Sequence, residues 1–243
     1  MEVLARVFAV LFGLCVSAQA AQAQRMQVDL ALILAVDVSN SVNSERWYIQ
    51  QKGYAQALRS REVIDAMTSG RHGAVAVTFV QWSAPHEQRA ISDWAIIRDK
   101  ESAHMFAMKV ELAERFYSRS TAIGNAINFS LKLFHDMPFK ASRLIIDISG
   151  DGRANDPRDW LESPDQFLER IREEAFALDV TINGLSLKGR DDDKWNVGIK
   201  EYYENLVIGG PRAFSMHVED PDDLAAFTLA IRRKLVQEIA MLR

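Results

Sequence analysis

Residues 35–42 read AVDVSNSV, an aspartate and two serines at alternate positions directly behind the apolar run LALILAV. Alternate side chains of an extended segment leave on one side, so Asp37, Ser39 and Ser41 can converge on one point. A carboxylate with two hydroxyls is an all-oxygen donor set, the kind that hard cations such as Mg²⁺ select. A loop that caps the next helix would use the same spacing, so this motif alone does not decide. Two later segments add to it. SRSTAIGNAI puts the Thr121 hydroxyl at a helix start, and RLIIDISGDGRANDP puts Asp151 in a glycine-flanked turn behind a second apolar run. Singly, Thr121 reads as a helix cap and Asp151 as a turn aspartate. Together with the first three they make a five-member oxygen set.

The elements that must position these residues alternate along the chain. Strand-like runs at 29–36, 74–82, 143–149, 179–185 and 214–217 are separated by longer amphipathic stretches. This pattern predicts an α/β fold, a mostly parallel central sheet covered by helices on both faces. The first and third runs are apolar almost throughout, as central parallel strands are. A short strand near 89–92 is expected to pair antiparallel at one edge. Helices are predicted from Asn43 or Ser44 through Leu58, and over 101–116, 122–136, 164–177 and 221–242. The basic triplet Arg232-Arg233-Lys234 in the last of these reads as a solvated face. Ligands of such sheets bind beyond the carboxyl ends of the strands, where strand order reverses. Asp37 and Asp151 both stand at such ends.

Once these positions are set side by side, the sequence resembles the von Willebrand factor type A (vWA) domains with a metal-ion-dependent adhesion site. The shared marks are D-x-S-x-S, then TAIGNAI for T-x-x-G-x-A-[LI], then an apolar strand ending in D-G. The central I-S-G-D-G, in place of the commoner T-D-G, is similar to an uncharacterised group of secreted bacterial type A proteins. The resemblance implies a Rossmann-like fold. It implies that Ser39, Ser41 and Thr121 supply hydroxyl ligands to Mg²⁺, with Mn²⁺ or Ca²⁺ as alternatives, and that Asp37 and Asp151 bind directly or through water. It further implies a protein partner that offers an Asp or Glu carboxylate to the cation, and a site coupled to the last helix. The Ser149-Gly150 departure leaves Asp151 the least fixed of the five.

Of the 243 residues, 48% are hydrophobic and 26% charged, enough for a sizeable core. The first 23 are expected to be a signal peptide: Arg6, then the apolar stretch Val7 to Val16, then Ala-x-Ala cleavage sites at 18–20 and 21–23. That stretch is shorter than the roughly 20 residues a bilayer span needs. Membrane contact would come only from this segment left uncleaved. A single vWA-like domain is expected over 25–243, exported to a periplasmic or extracellular place. The one cysteine, Cys15, lies in the signal, so disulfides, cysteine metal sites and thiolate nucleophiles drop out. A net charge of −4 with no long Lys/Arg run argues against nucleic acid.

Rival chemistry leaves weaker traces. There is no G-x-S-x-G elbow, no P-loop and no G-x-G-x-x-G, and His86-Glu87 lacks the second histidine of a zincin at residue 90. A phospho-aspartate mechanism would show a second aspartate where Ser39 stands. In the DGRANDP turn, Arg153 occupies a position where a calcium loop needs an oxygen. No catalytic residue is therefore assigned and no small-molecule substrate is expected. A metal-dependent hydrolase or phosphatase, and a scaffold with a vestigial metal site, are the alternatives to a binding module. The run Asp191 to Asp193 reads as a solvated loop. Trp47 and Trp82 fall on periodic segments and read as core, whereas Trp94, Trp160 and Trp195 flank polar loops.

Overall fold

The structure is a computed structural model that describes residues 25–116, 120–155, 162–189 and 198–240. The expected signal segment, Trp160, Trp195 and the Asp191 to Asp193 run lie outside the described residues. In chain order the elements are β1 (Gln27–Val28), β2 (Leu30–Asp37), α1 (Ser44–Leu58), α2 (Arg61–Thr68), β3 (Val75–Trp82), β4 (Gln88–Ala90), β5 (Ala95–Ile97), α3 (Lys100–Glu111), α4 (Ile123–His135), β6 (Lys140–Ala141), β7 (Leu144–Gly150), α5 (Pro164–Ala177), β8 (Val180–Leu187), α6 (Ile199–Tyr202), which runs into a π-helical turn (Tyr203–Val207), β9 (Ser215–Val218) and α7 (Leu224–Ala240).

Strands β3, β2, β7, β8 and β9 form a parallel sheet in that order. The chain moves outward from β2 to β3, then returns to the other side of β2 with β7, so strand order reverses between β2 and β7. The antiparallel edge is expected as one strand and is built from two: β4 pairs with the far end of β3, and β5 with its near end. Ser92 and Asp93 intervene, and the Ser92 carbonyl accepts from the Thr78 hydroxyl at 3.1 Å. β1 and β6 form a separate small parallel ladder.

Burial on both faces explains the apolar runs. Along β2 the even residues Leu30, Leu32, Leu34 and Val36 face α1, α2, α3 and α7, while Ala31, Ile33 and Ala35 face α4, α5 and α6. Each such valine, leucine or isoleucine, fully buried, favours folding by about 1.5–3 kcal/mol. Asn43 caps α1 by accepting from the Arg46 amide at 2.7 Å, as expected. Helix α2 is not anticipated in the sequence reading. Its signal is present, a Ser60 cap followed by Val63, Ile64 and Met67 on one face. The helix expected over 101–116 stops at Glu111 because the next residues are diverted. Gln81 of β3 donates to the Glu114 carbonyl and accepts from the Phe116 amide, at 2.9 and 2.8 Å.

One expectation about side chains needs correction. The basic triplet of α7 is not one solvated face: Arg233 is exposed and Lys234 is fully buried. Lys234 falls on the same helical stripe as Phe227, Ile231 and Leu235, with Glu238 one turn on. Trp94, beside a polar loop, is packed: it stacks on Phe134 and meets Phe139 edge-on, with centroids 5.8 and 5.4 Å away. Trp47 and Trp82 are in the core, as periodicity predicts.

Candidate metal centre

The five sequence-nominated residues come together at the carboxyl ends of β2 and β7. Asp37 is the last residue of β2, and its Oδ1 accepts from the Ser39 amide at 2.7 Å. That bond turns the chain at once, so Ser39 and Ser41 do not continue an extended strand as the alternation argument supposes. They converge because of this aspartate turn and a second bond from the Val42 amide to the Ser39 carbonyl at 3.1 Å. The two hydroxyls are 3.1 Å apart. Ser41 donates to Asp151 Oδ1 at 2.5 Å, and Thr121 Oγ1 lies 3.5 Å from Ser39 Oγ. Thr121 does not cap α4. The cap position is Ala122, with no side-chain bond to the helix.

Loop-to-loop bonds hold this arrangement. Thr121 and Asn155 bond reciprocally, amide to side-chain oxygen at 2.9 Å and amide to carbonyl at 3.1 Å, which joins the Thr121 loop to the Asp151 loop. The Arg115 guanidinium donates to the carbonyls of Val38, Ser39 and Val42, pinning the serine loop from outside. Arg46 is the residue that changes the electrostatics. It is buried on α1, with Nη1 2.8 Å from Asp151 Oδ2, and its Nε and Nη2 form a two-pronged pair with Asp222 at 2.8 and 2.7 Å. Neither arginine is nominated by sequence, because a charged residue in a helix or loop ordinarily reads as solvated. The clue for Arg46 is its place one residue before Trp47 on a largely buried helix.

Asp37 is fully buried, and its Oδ2 has no hydrogen-bond partner among the described residues. Burial, and then repulsion from Asp151, push its carboxyl up to about 8. Buried carboxylates that repel each other beside three hydroxyls fit a hard divalent cation, which would relieve both costs. Among the described residues no group of three or more His, Cys, Asp or Glu side chains is placed to hold a metal. Any cation here would depend on the hydroxyls. Beside the cluster a cleft of about 310 Å³ is lined by Arg46, Lys188, Glu219, Asp220 and Asp222.

A Ser–His–acid chain also emerges that the motifs do not reveal. Ser186 Oγ is 2.9 Å from His217 Nδ1, and His217 Nε2 is 3.7 Å from Glu219. Ser186 is buried within the β8–β9 ladder, so its hydroxyl is closed to a substrate.

Residues 27–243 match the family described as "Protein of unknown function (DUF1194)". No curated protein matches the chain. Among solved structures it is similar to the pilus adhesin SpaC from Lactobacillus rhamnosus GG, with TM-score 0.61 and 12% identity over 89% of this chain and 31% of that one. A von Willebrand factor type A protein from Catenulispora acidiphila gives 0.56 and 16%, over 88% of this chain and 43% of the other. The vWF domain of the type V pili tip protein Mfa5 from Porphyromonas gingivalis gives 0.57 and 12%, over 88% and 96%. The chain thus spans less than half of the first two and nearly all of the third. At such identities the likeness establishes the fold, which is that of vWA domains.

Proposed function

The chain belongs to the DUF1194 family, and from that premise and its vWA fold we propose that it is an exported protein-binding module. In this reading Asp37, Ser39, Ser41, Thr121 and Asp151 hold Mg²⁺, or Mn²⁺ or Ca²⁺ in its place, for contact with an Asp or Glu carboxylate of a partner. One observation carries it: residues from three separate stretches meet as a connected oxygen cluster at the strand switch point. A bound cation would supply a Lewis-acidic position to which a carboxylate can bind. The chain's own charges favour such a ligand. Arg46 already balances Asp151, which leaves Asp37 and neutral hydroxyls facing a divalent ion. Export is supported by the signal-like first 23 residues and by the pilus proteins among the similar structures. Among the described residues no helix is long and apolar enough to cross a membrane.

The test is affinity capture from an envelope extract with Mg²⁺ present or chelated, and with Asp37→Ala alongside. Support is a partner held only with metal and intact Asp37, and lost when a single Asp or Glu of that partner is replaced. Retention that ignores chelator and Asp37 would remove the proposal. The vestigial-site alternative has one observation in its favour, the Arg46–Asp151 ion pair, which satisfies a carboxylate without a metal. It predicts no saturable divalent binding. A hydrolase is the weaker alternative, because Ser186, the serine that touches a histidine, is buried.

A further inference from the structure

Tyr203 opens the π-helical turn after α6 and is fully buried against the sheet face that carries Asp37. Two glycines on neighbouring strands make its bed. A Cβ on Gly184 of β8 would stand 2.9 Å from the ring at Cδ1, and a Cβ on Gly150, the last residue of β7, would stand 2.8 Å from the hydroxyl. Any side chain at either place would collide with the tyrosine. The same point over Gly150 is 3.0 Å from Asp37 Oδ2. The tyrosine hydroxyl and the aspartate oxygen therefore both lie within 3.0 Å of one point over the bare Cα of Gly150, although they do not bond to each other. Both are buried, and neither has a hydrogen-bond partner among the described residues. Two orphaned polar atoms this near one another in a core are costly unless something joins them.

We infer that Tyr203 is a positioning residue of the metal centre, its hydroxyl donating across Gly150 to Asp37 Oδ2 through one water. This rests on the proposed function and extends it. With Oδ1 taken by the Ser39 amide, Tyr203 fixes the second oxygen and so the plane of the carboxylate. It also gives a reason for Ser149-Gly150-Asp151 in place of a bulkier approach to the aspartate, since only glycine admits the hydroxyl. Single π-helical turns are frequent at functional sites.

The experiment is Mn²⁺ titration of the purified protein, followed by electron paramagnetic resonance, for wild type, Tyr203→Phe and Gly150→Ala, with urea unfolding of each. Tyr203→Phe keeps the ring over both glycines and deletes only the donor. The expected result is Mn²⁺ affinity weakened about tenfold or more, the usual effect of losing a group that orients a ligand, with the urea midpoint held. Gly150→Ala, which wedges a methyl between hydroxyl and carboxylate, should weaken binding at least as much. Wild-type affinity in Tyr203→Phe overturns the inference while leaving the metal reading intact. Absence of saturable Mn²⁺ binding by the wild type overturns the metal reading and this inference with it.

Discussion

Among the described residues two pairs of carboxylates are buried beside a cationic side chain, and the pairs differ in what that cation reaches. Beneath α7, Lys234 Nζ lies between Asp147 Oδ1 at 2.7 Å and Glu238 Oε1 at 2.5 Å. Asn183 donates to the same glutamate oxygen at 2.9 Å and accepts from the Phe214 amide at 3.1 Å, and the ammonium sits 5.3 Å from the Phe214 ring centroid. At the strand ends, Arg46 serves Asp151 and turns its other nitrogens outward to the half-exposed Asp222. Among the described residues Asp37 has no such ion pair: its Oδ1 takes the Ser39 amide, and its Oδ2 takes no hydrogen bond. A cation that pairs with both carboxylates closes the set in charge and makes it structural, although Asp147 Oδ2 and Glu238 Oε2 take no hydrogen bond among the described residues. A cation that serves only one leaves the other, with three hydroxyls, open to a ligand.

The largest effect should come from breaking the closed set. Lys234→Met strands two carboxylates in the core and should cost about 3–5 kcal/mol at pH 8 in urea unfolding, as for other broken buried pairs. The loss should shrink at pH 5, where the carboxyls take up protons. A smaller, pH-shaped effect belongs to Glu238. Burial, and then repulsion from Asp147, raise its carboxyl from 4.5 to about 7 against the pull of Lys234. The folded protein therefore keeps a proton that the unfolded chain releases. This contribution is full below about pH 4.5 and is lost as pH rises through about 7, on the order of 3 kcal/mol. Glu238→Gln should remove that slope from the stability profile, and an unchanged slope would assign it elsewhere. Smallest is Arg46→Met, about 1–3 kcal/mol, because Asp222 can turn to water and the stranded Asp151 keeps the Ser41 hydroxyl on its Oδ1. If the open set holds a cation, Mn²⁺ should narrow the Arg46→Met deficit and leave the Lys234→Met deficit as it was.

Much of this was legible in the residues, for identifiable reasons. Strands β2 and β7 bury both faces and so read as unbroken apolar runs, and the residues behind them were placed by that alone. Asp37, Ser39, Ser41, Thr121 and Asp151 were nominated by type and spacing, and the structure brings them together, although by a turn rather than by strand alternation. Asp147 and Lys234 are not legible, because one polar residue inside a hydrophobic run, or one lysine in a basic triplet, looks incidental until its partner across the core is known. Arg46 and Tyr203 are long-range partners of Asp151 and Asp37, and no local spacing links them. Helix α2 was within reach from its Ser60 cap and apolar stripe.

The central claim, that the open set is a cation site, is most directly tested by water-proton relaxation during Mn²⁺ titration of wild type and Asp37→Ala. The pH should be 8.5, above the value of about 8 to which burial lifts the Asp37 carboxyl. The account predicts one Mn²⁺ per wild-type chain with enhanced relaxation from water at an open coordination position, and loss of both in Asp37→Ala with the fold intact. No saturable binding, or equal binding by Asp37→Ala, would contradict it.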